Sequence, residues 1–136
     1  MKILLDSNVI FSAFAARGLA HAVFELCLGN HTIVISEFVL SELSAHLRKK
    51  LKMPDEKTRL IIDYLRESGV SGQEASVPKN SCRDEEDLPI LGLAQEVGAD
   101  FLITGDKDLL ILKRYRGIPI VTPREFWEKE KKNRSR

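Results

Sequence analysis

The stretch MKILLDSNVI, residues 1–10, decides the fold class, because an apolar segment typical of a buried strand is followed directly by polar residues. Ile3, Leu4 and Leu5 form a continuous apolar run, which is typical of a parallel strand covered on both faces. Asp6 ends that run. Ligands of open parallel sheets bind at the carboxyl ends of the strands, so we expect the Asp6 carboxylate to face a cleft. The alternative is that Asp6 only caps the following helix, as Asp, Ser and Asn commonly do.

Apolar runs and helical periodicities alternate along the rest of the chain. Further strands are predicted at 32–35, 101–104 and 118–121, with a short one near 75–77. Helices are predicted at 9–16, 20–28, 36–50, 54–69, 87–98 and 109–112. A last helix is predicted from Pro123, behind a capping box at 122–125. This alternation predicts an α/β fold with a parallel sheet.

Composition limits the class of protein. A chain of 136 residues that is 43% hydrophobic and 30% charged is expected to form one soluble globular domain. No apolar stretch approaches the roughly 20 residues of a membrane span, and Asp6 interrupts the first apolar run too early for a secretory signal. Cys27 and Cys82 have neither metal-type spacing nor the pattern of a disulfide framework, so a reducing cytoplasm is the expected location.

Charge is distributed unevenly between the body of the chain and its end. Residues 129–136 carry a net charge of +4, whereas the whole chain carries +1, so residues 1–128 are mildly acidic. We therefore divide the chain into a domain at 1–128 and a basic C-terminal tail at 129–136. Such a tail is compatible with nucleic acid binding, although a solvated, frayed terminus is the commoner explanation.

Acidic residues are predicted to converge at one end of the sheet. Asp6 and Asp106 each follow a strand, Asp84 and Asp87 flank the start of a helix, and Glu42 lies at the edge of a helix's apolar stripe. Carboxylates this close raise one another's pKa unless cations neutralise them, and Mg²⁺ or Mn²⁺ prefers such oxygen ligands. Ions held in this way can generate hydroxide and stabilise an in-line phosphodiester displacement. No Ser/His/Asp or Cys/His arrangement competes with this interpretation.

Four stretches, in this order and spacing, resemble the PIN-domain ribonucleases, a family that includes many toxins of type II toxin–antitoxin pairs. They are LDSNVI at 5–10, ISE at 35–37 with LSEL at 40–43, RD at 83–84 with Asp87 and ILGLA at 90–94, and LITGDKDLL at 102–110. The resemblance covers nearly the whole chain. It implies a three-layer α/β/α fold with a central parallel sheet of four to five strands.

The resemblance also implies a set of site residues. The four metal-binding, catalytic acids of the family fall on Asp6, Glu42, Asp87 and Asp106, with Asn8 and Thr104 as supporting hydrogen-bonding groups. Asp84 and Asp108 either support the site or are solvated. Relatives often carry Pro after the acid that matches Asp84, where this chain has Glu85, so the choice between Asp84 and Asp87 as third ligand stays open. We prefer Asp87, which could also be only a helix cap.

The function that follows is hydrolysis of RNA by an endoribonuclease that uses Mg²⁺ or Mn²⁺. If the protein is a toxin, an antitoxin protein is expected to cover the cleft with a basic residue. The resemblance is also compatible with a homodimer. One alternative is a non-catalytic RNA- or protein-binding module, which would be expected to have lost acids. A haloacid dehalogenase-type phosphatase fits less well, because that chemistry needs an Asp two residues after the first, where this chain has Asn8.

Basic and aromatic residues outside the acidic set have two interpretations each. His46 lies one helical turn after Glu42 and could face the cleft, although a surface position is favoured. Residues 48–50 with Lys52 could contact RNA phosphates, but a solvated helix end explains them equally well. Phe126 and Trp127 are expected to pack the last helix onto the body, with base stacking as the minor alternative.

Overall fold

A central six-stranded sheet organises the molecule in the computed structural model, which describes residues 1–134. Its strands are β1 (Lys2–Leu5), β2 (Thr32–Ile35), β3 (Val70–Ser71), β4 (Phe101–Ile103), β5 (Arg114–Tyr115) and β6 (Ile118–Val121). Their spatial order is β3-β2-β1-β4-β6-β5, and every neighbouring pair is parallel except β5 with β6. β1 therefore lies between two parallel partners, with Ile3, Leu4 and Leu5 completely buried, as its apolar run predicts.

Helices cover both faces of the sheet. They are α1 (Ser7–Ala15), α2 (Leu19–Asn30), α3 (Glu37–Lys50), α4 (Asp55–Ser68), α5 (Leu88–Val97), α6 (Lys107–Leu110) and α7 (Pro123–Arg134). One layer is continuous, because α1 packs on α2 and α3, α3 packs on α4, and α2 packs on α7. α5 connects β3 back to β4, in the reverse direction across the sheet, so a right-handed crossover puts it on the opposite face. The predicted α/β class is confirmed.

Local signals in the sequence start and stop several helices as expected. The buried Ser36 hydroxyl accepts a hydrogen bond from the Val39 N–H at 3.1 Å and so caps α3. Thr122 and Glu125 exchange two hydrogen bonds of 3.0 and 3.1 Å, which form the predicted capping box of α7. α5 ends at Gly98, whose φ of 62° is the left-handed conformation that glycine adopts without strain.

The prediction of a strand near 75–77 is wrong. The parallel strand β3 lies at Val70–Ser71, and the chain leaves the sheet after the Gly72 N–H donates to the Ile35 carbonyl at 2.9 Å. Ala75 then packs on α5, where its N–H donates to the Gly92 carbonyl at 3.2 Å. A side chain at Gly92 would overlap the Ala75 backbone. The Ala75 N–H is thus bonded to α5 and is not available for the hydrogen bond to a neighbouring strand that a strand at 75–77 would make.

Other element boundaries also differ from the predictions. α1 begins at Ser7 rather than residue 9, and α6 covers Lys107–Leu110 rather than 109–112, because Asp106 caps it through the Asp108 N–H. The short antiparallel strand β5 was not predicted; it turns into β6 through Gly117, whose φ is 82°. Residues 129–134 of the predicted tail continue α7, and residues 135–136 lie outside the described residues.

Phe126 packs α7 onto the body as expected. It is 1% exposed and makes edge-to-face contacts with Phe101 and His31. Among residues 1–134, no single helix is long and apolar enough to cross a membrane; α1 and α2 reach that length and apolarity only together, and they are bent by 108° to each other.

Candidate functional site

An open cleft of about 260 Å³ lies at the carboxyl ends of β1 and β4, which are neighbours in the sheet. Six of the eight predicted site residues line it: Asp6, Asn8, Glu42, Asp84, Asp87 and Asp106. The remaining two lie just outside the cleft surface, with Thr104 fully buried beneath it and Asp108 in the first turn of α6. The fold thus collects in one place acids that are up to 100 positions apart in the sequence.

Asp6 is held by the neighbouring strand's end. Its carboxylate Oδ2 accepts a hydrogen bond of 2.7 Å from the Thr104 hydroxyl, and its N–H donates to the Ile103 carbonyl at 3.0 Å. Although Asp6 occupies the N-cap position of α1, its side chain makes no capping hydrogen bond. Burial raises the pKa of Asp6, against the opposing effect of the Thr104 hydrogen bond. The side chain is therefore positioned for the cleft and not for helix capping.

Thr104 also orders the second strand-end acid. Its hydroxyl oxygen accepts a hydrogen bond of 3.0 Å from the Asp106 N–H, while Asp106 Oδ1 accepts one of 2.9 Å from the Asp108 N–H. One buried hydroxyl thus links Asp6 and Asp106, whose positions come from two adjacent parallel strands. The supporting role of Thr104 at a metal site stays a prediction. The side chain of Asn8, in contrast, is exposed at the cleft and makes no hydrogen bond to another described residue.

Asp87 is the most strongly perturbed acid of the cleft. Burial, together with the close approach and negative charge of Asp106 and the charges of Asp84 and Asp6, raises the pKa of Asp87 to about 7. Asp87 stands at the N-cap position of α5 without making a side-chain cap, whereas Asp84 caps the preceding 3₁₀ turn by accepting from the Glu86 N–H at 3.0 Å. Capping therefore does not account for the position of the Asp87 side chain.

Glu42 reaches the cleft from α3. The hydroxyl of Ser7 donates a hydrogen bond of 3.3 Å to Glu42 Oε1 and so connects the start of α1 with α3. Burial raises the pKa of Glu42, with a smaller contribution from the charges of Asp6 and Glu86. Ser7 was not among the predicted site residues; its position directly after Asp6, in a turn that begins a helix, is the signal that points to it.

His46 and Lys50 also line the cleft, one and two helical turns after Glu42. The expectation that His46 lies on the outer surface is wrong, since the ring is half-buried and packs edge-on against Phe11 at 6.2 Å between centroids. Burial and the Lys50 charge lower the pKa of His46, opposed by Asp6. The i, i+4, i+8 spacing from Glu42 is the sequence signal for these two positions.

The donor set fits a divalent cation. Asp87 Oδ2 is buried and has no hydrogen-bond partner in the described chain. Oxygens of Asp84, Asp87 and Asp108 lie within 4.8 Å of one another, so the two acids treated as supporting residues form one cluster with Asp87. Hard ions such as Mg²⁺ or Mn²⁺ bind carboxylate oxygens of this kind, and their charge removes the mutual repulsion of the acids.

Comparisons with known proteins agree with this architecture. The sequence model of the PIN domain family matches residues 2–108, a range that contains every residue lining the cleft. No curated protein sequence matches the chain. Among solved structures, the chain is similar to one in the crystal structure of VapBC2 from Rickettsia felis bound to a DNA fragment from their promoter. The TM-score is 0.60 at 19% identity, over 90% of this chain and 98% of that one, so the two share a fold.

Proposed function

Since this chain belongs to the PIN domain family, we propose that it is a metal-dependent endoribonuclease that hydrolyses RNA phosphodiester bonds. The observation that carries the proposal is the convergence of Asp6, Glu42, Asp84, Asp87 and Asp106 on one open cleft. So many carboxylates are costly to gather unless a cation neutralises them. The orphaned Asp87 Oδ2 supports such an ion.

We assign the metal-holding role to Asp6, Glu42, Asp87 and Asp106, with Asp84 and Asp108 as adjacent acids. When bound, Mg²⁺ or Mn²⁺ supplies Lewis acidity, which activates water and stabilises negative charge on the phosphate. The chain's own part is orientation: Thr104 fixes Asp6 and Asp106, and Ser7 fixes Glu42. Preorganised ligands avoid reorganisation during the reaction, which is how a protein makes such a site effective.

Two other functions are less well supported. Asn8 lies in the cleft where a haloacid dehalogenase-type phosphatase needs an acid/base carboxyl, and an amide cannot supply that proton. A non-catalytic RNA- or protein-binding module has no need to retain all the acids or to order them through buried hydroxyls. Both considerations favour the nuclease.

The biological role we favour is that of the toxin of a type II toxin–antitoxin pair. The family resemblance supports it, and the likeness to the VapBC2 chain is consistent with it at the level of the fold. An antitoxin would cover the cleft and place a cationic side chain among the carboxylates. A homodimer is a further expectation, which sedimentation of the purified protein would test.

The test is cleavage of labelled single-stranded RNA with Mg²⁺ or Mn²⁺, compared with an EDTA control. We expect Asp6→Asn to lower the rate by about 100-fold or more, because it removes an ordered ligand from the cleft. Asp63→Asn, at an exposed acid of α4 outside the cleft, is the matched control and should cleave like the wild type. Folded protein that cleaves with neither metal, or cleavage that survives Asp6→Asn, would contradict the proposal.

A further inference from the structure

One face of α3 presents a row of three polar residues to the cleft: Glu42, His46 and Lys50. Residues four apart lie on the same face of a helix. Because each residue advances about 1.5 Å, His46 and Lys50 lie about 6 and 12 Å beyond Glu42 along the helix axis. The row thus leads from the acidic centre toward the C-terminal end of α3, in steps comparable to the distance between successive phosphates of an extended strand.

Lys50 differs from the other cations at the end of α3. Its Nζ lies 5.4 Å from the centroid of the Phe11 ring, a cation–π contact that favours a position of the side chain beside the cleft. Arg48 is paired with Asp55 at 3.0 Å, and Lys49 does not line the cleft. In the described part of the chain, Lys50 forms no ion pair and is the one Lys or Arg among the cleft-lining residues. Its charge is therefore available to a bound anion.

His46 lies between the acids and Lys50 and is similarly available. Neither ring nitrogen hydrogen-bonds to another described residue, and Nδ1 is buried without a partner. The ring packs on the same Phe11 that underlies Lys50, so one aromatic side chain supports both groups. A neutral imidazole is a hydrogen-bonding group rather than a charge, which suits it to a sugar hydroxyl or a phosphate oxygen.

We propose that His46 and Lys50 form a substrate subsite, in which the RNA strand beside the scissile phosphate runs along α3 and a flanking phosphate contacts Lys50. This inference rests on the proposed nuclease function and adds the direction of the strand. The carboxylates repel an RNA phosphate that no metal ion neutralises. Lys50 attracts a phosphate, and it lies about 12 Å beyond Glu42 along the helix axis. The competing occupant is an acidic segment of a protein. Such a segment would explain Lys50 but not His46, which offers a hydrogen-bonding group between the acids and Lys50.

The experiment measures binding of a labelled single-stranded RNA by fluorescence anisotropy, with Ca²⁺ in place of Mg²⁺ and the intact RNA verified on a gel. Lys50→Gln is compared with Lys49→Gln, its neighbour of equal charge outside the cleft. We expect Lys50→Gln to weaken binding roughly threefold or more and to reduce the slope of log affinity against log salt by about 0.7, the value for one lost phosphate contact. Lys49→Gln should change both quantities by less than half as much.

A second variant, His46→Ala, should weaken RNA binding without changing the salt slope, because it removes a hydrogen bond and no phosphate charge. Equal effects of the two lysine variants, or no effect of either, would overturn the subsite. A Lys50→Gln variant that binds RNA as tightly as the wild type would also overturn it and would favour the acidic protein segment. Failure of the proposed function is a separate result, because wild-type protein would then not cleave RNA with Mg²⁺ or Mn²⁺ whatever the binding pattern.

Discussion

Asp6 illustrates how a single side chain acquires its role from a residue that is remote in sequence. Position after an apolar run predicts a carboxylate at a strand end, and helix capping competes with that prediction. The Thr104 hydroxyl, 98 positions away, decides between them by donating to Asp6 Oδ2. Because a buried carboxylate without donors is costly, the hydrogen bond from Thr104 is what keeps Asp6 aimed at the cleft. The metal-binding role of these residues stays a prediction.

Asp87 makes the stability of the metal-free protein depend on pH. Its pKa of about 7 in the folded state exceeds the 3.8 of an ordinary Asp, so the folded state binds the proton more tightly. The resulting stability is fully present below pH 4 and is lost as the pH rises through 7. The Asp87→Asn variant has no carboxyl group at this position, so it does not lose this stability as the pH rises. Relative to wild type, we expect the variant to gain about 1 kcal/mol between pH 5 and pH 8, after discounting for solvent in the open cleft.

Urea unfolding in EDTA at pH 5 and pH 8 measures this difference. Glu85→Gln, at an exposed neighbour that does not line the cleft, is the control and should lose the same stability as the wild type between the two pH values. Saturating Mg²⁺ should abolish the advantage of Asp87→Asn, since a cation stabilises the ionised wild-type cleft. An Asp87→Asn variant whose stability follows the wild type at both pH values would contradict the assignment.

At the scale of elements, the contact between α5 and the segment after β3 determines where the sheet ends. Glycine at position 92 allows the Ala75 backbone to approach the helix, and the Ala75 N–H then donates to the Gly92 carbonyl. Nothing in the local sequence of 75–77 distinguishes this arrangement from a strand. The glycine inside an otherwise apolar helix was the available signal, because such a glycine often marks a close backbone approach.

Gly92→Ala is expected to destabilise the protein by about 1–3 kcal/mol, because its Cβ would overlap the carbonyl of Ala75 and force the two elements apart. Gly29→Ala is the matched control. It also lies within a helix, α2, but a Cβ there meets nothing within 4 Å, so the higher helix propensity of Ala should leave stability unchanged or increased. Chemical denaturation of both variants compares them directly; equal stabilities would show that the close approach is unimportant.

At the scale of the whole molecule, the C-terminal helix α7 packs on α2 in the first quarter of the chain. Glu130 Oε1 lies 2.7 Å from His31 Nε2, a contact between side chains that are only 13% and 9% exposed. The two atoms are close enough for an ion pair, but their geometry is not that of a hydrogen bond. Residues 129–134 of the basic segment therefore continue a docked helix, with Glu130 turned toward the body.

Glu130→Ala should lower the free energy of unfolding by about 1–3 kcal/mol, because it removes the carboxylate that faces the His31 ring at a site largely shielded from water. Glu128→Ala, at an exposed position of the same helix, makes an equal change in charge and helix propensity and should be close to neutral. Thermal unfolding at neutral pH measures both. Similar losses in the two variants would mean that the contact with His31 contributes nothing specific.

The sequence by itself determined the α/β class, most strands and helices, their caps and the set of acids expected at the strand ends. These features depend on local chemistry: apolar runs, helical periodicity and side chains that satisfy nearby backbone groups. Only the tertiary structure decided the pairing of Thr104 with Asp6, the departure of residues 72–78 from the sheet and the position of His46 and Lys50 over Phe11. Each of these depends on contacts between residues far apart in sequence, and local signals such as a glycine within a helix do not identify the residue on the other side of the contact.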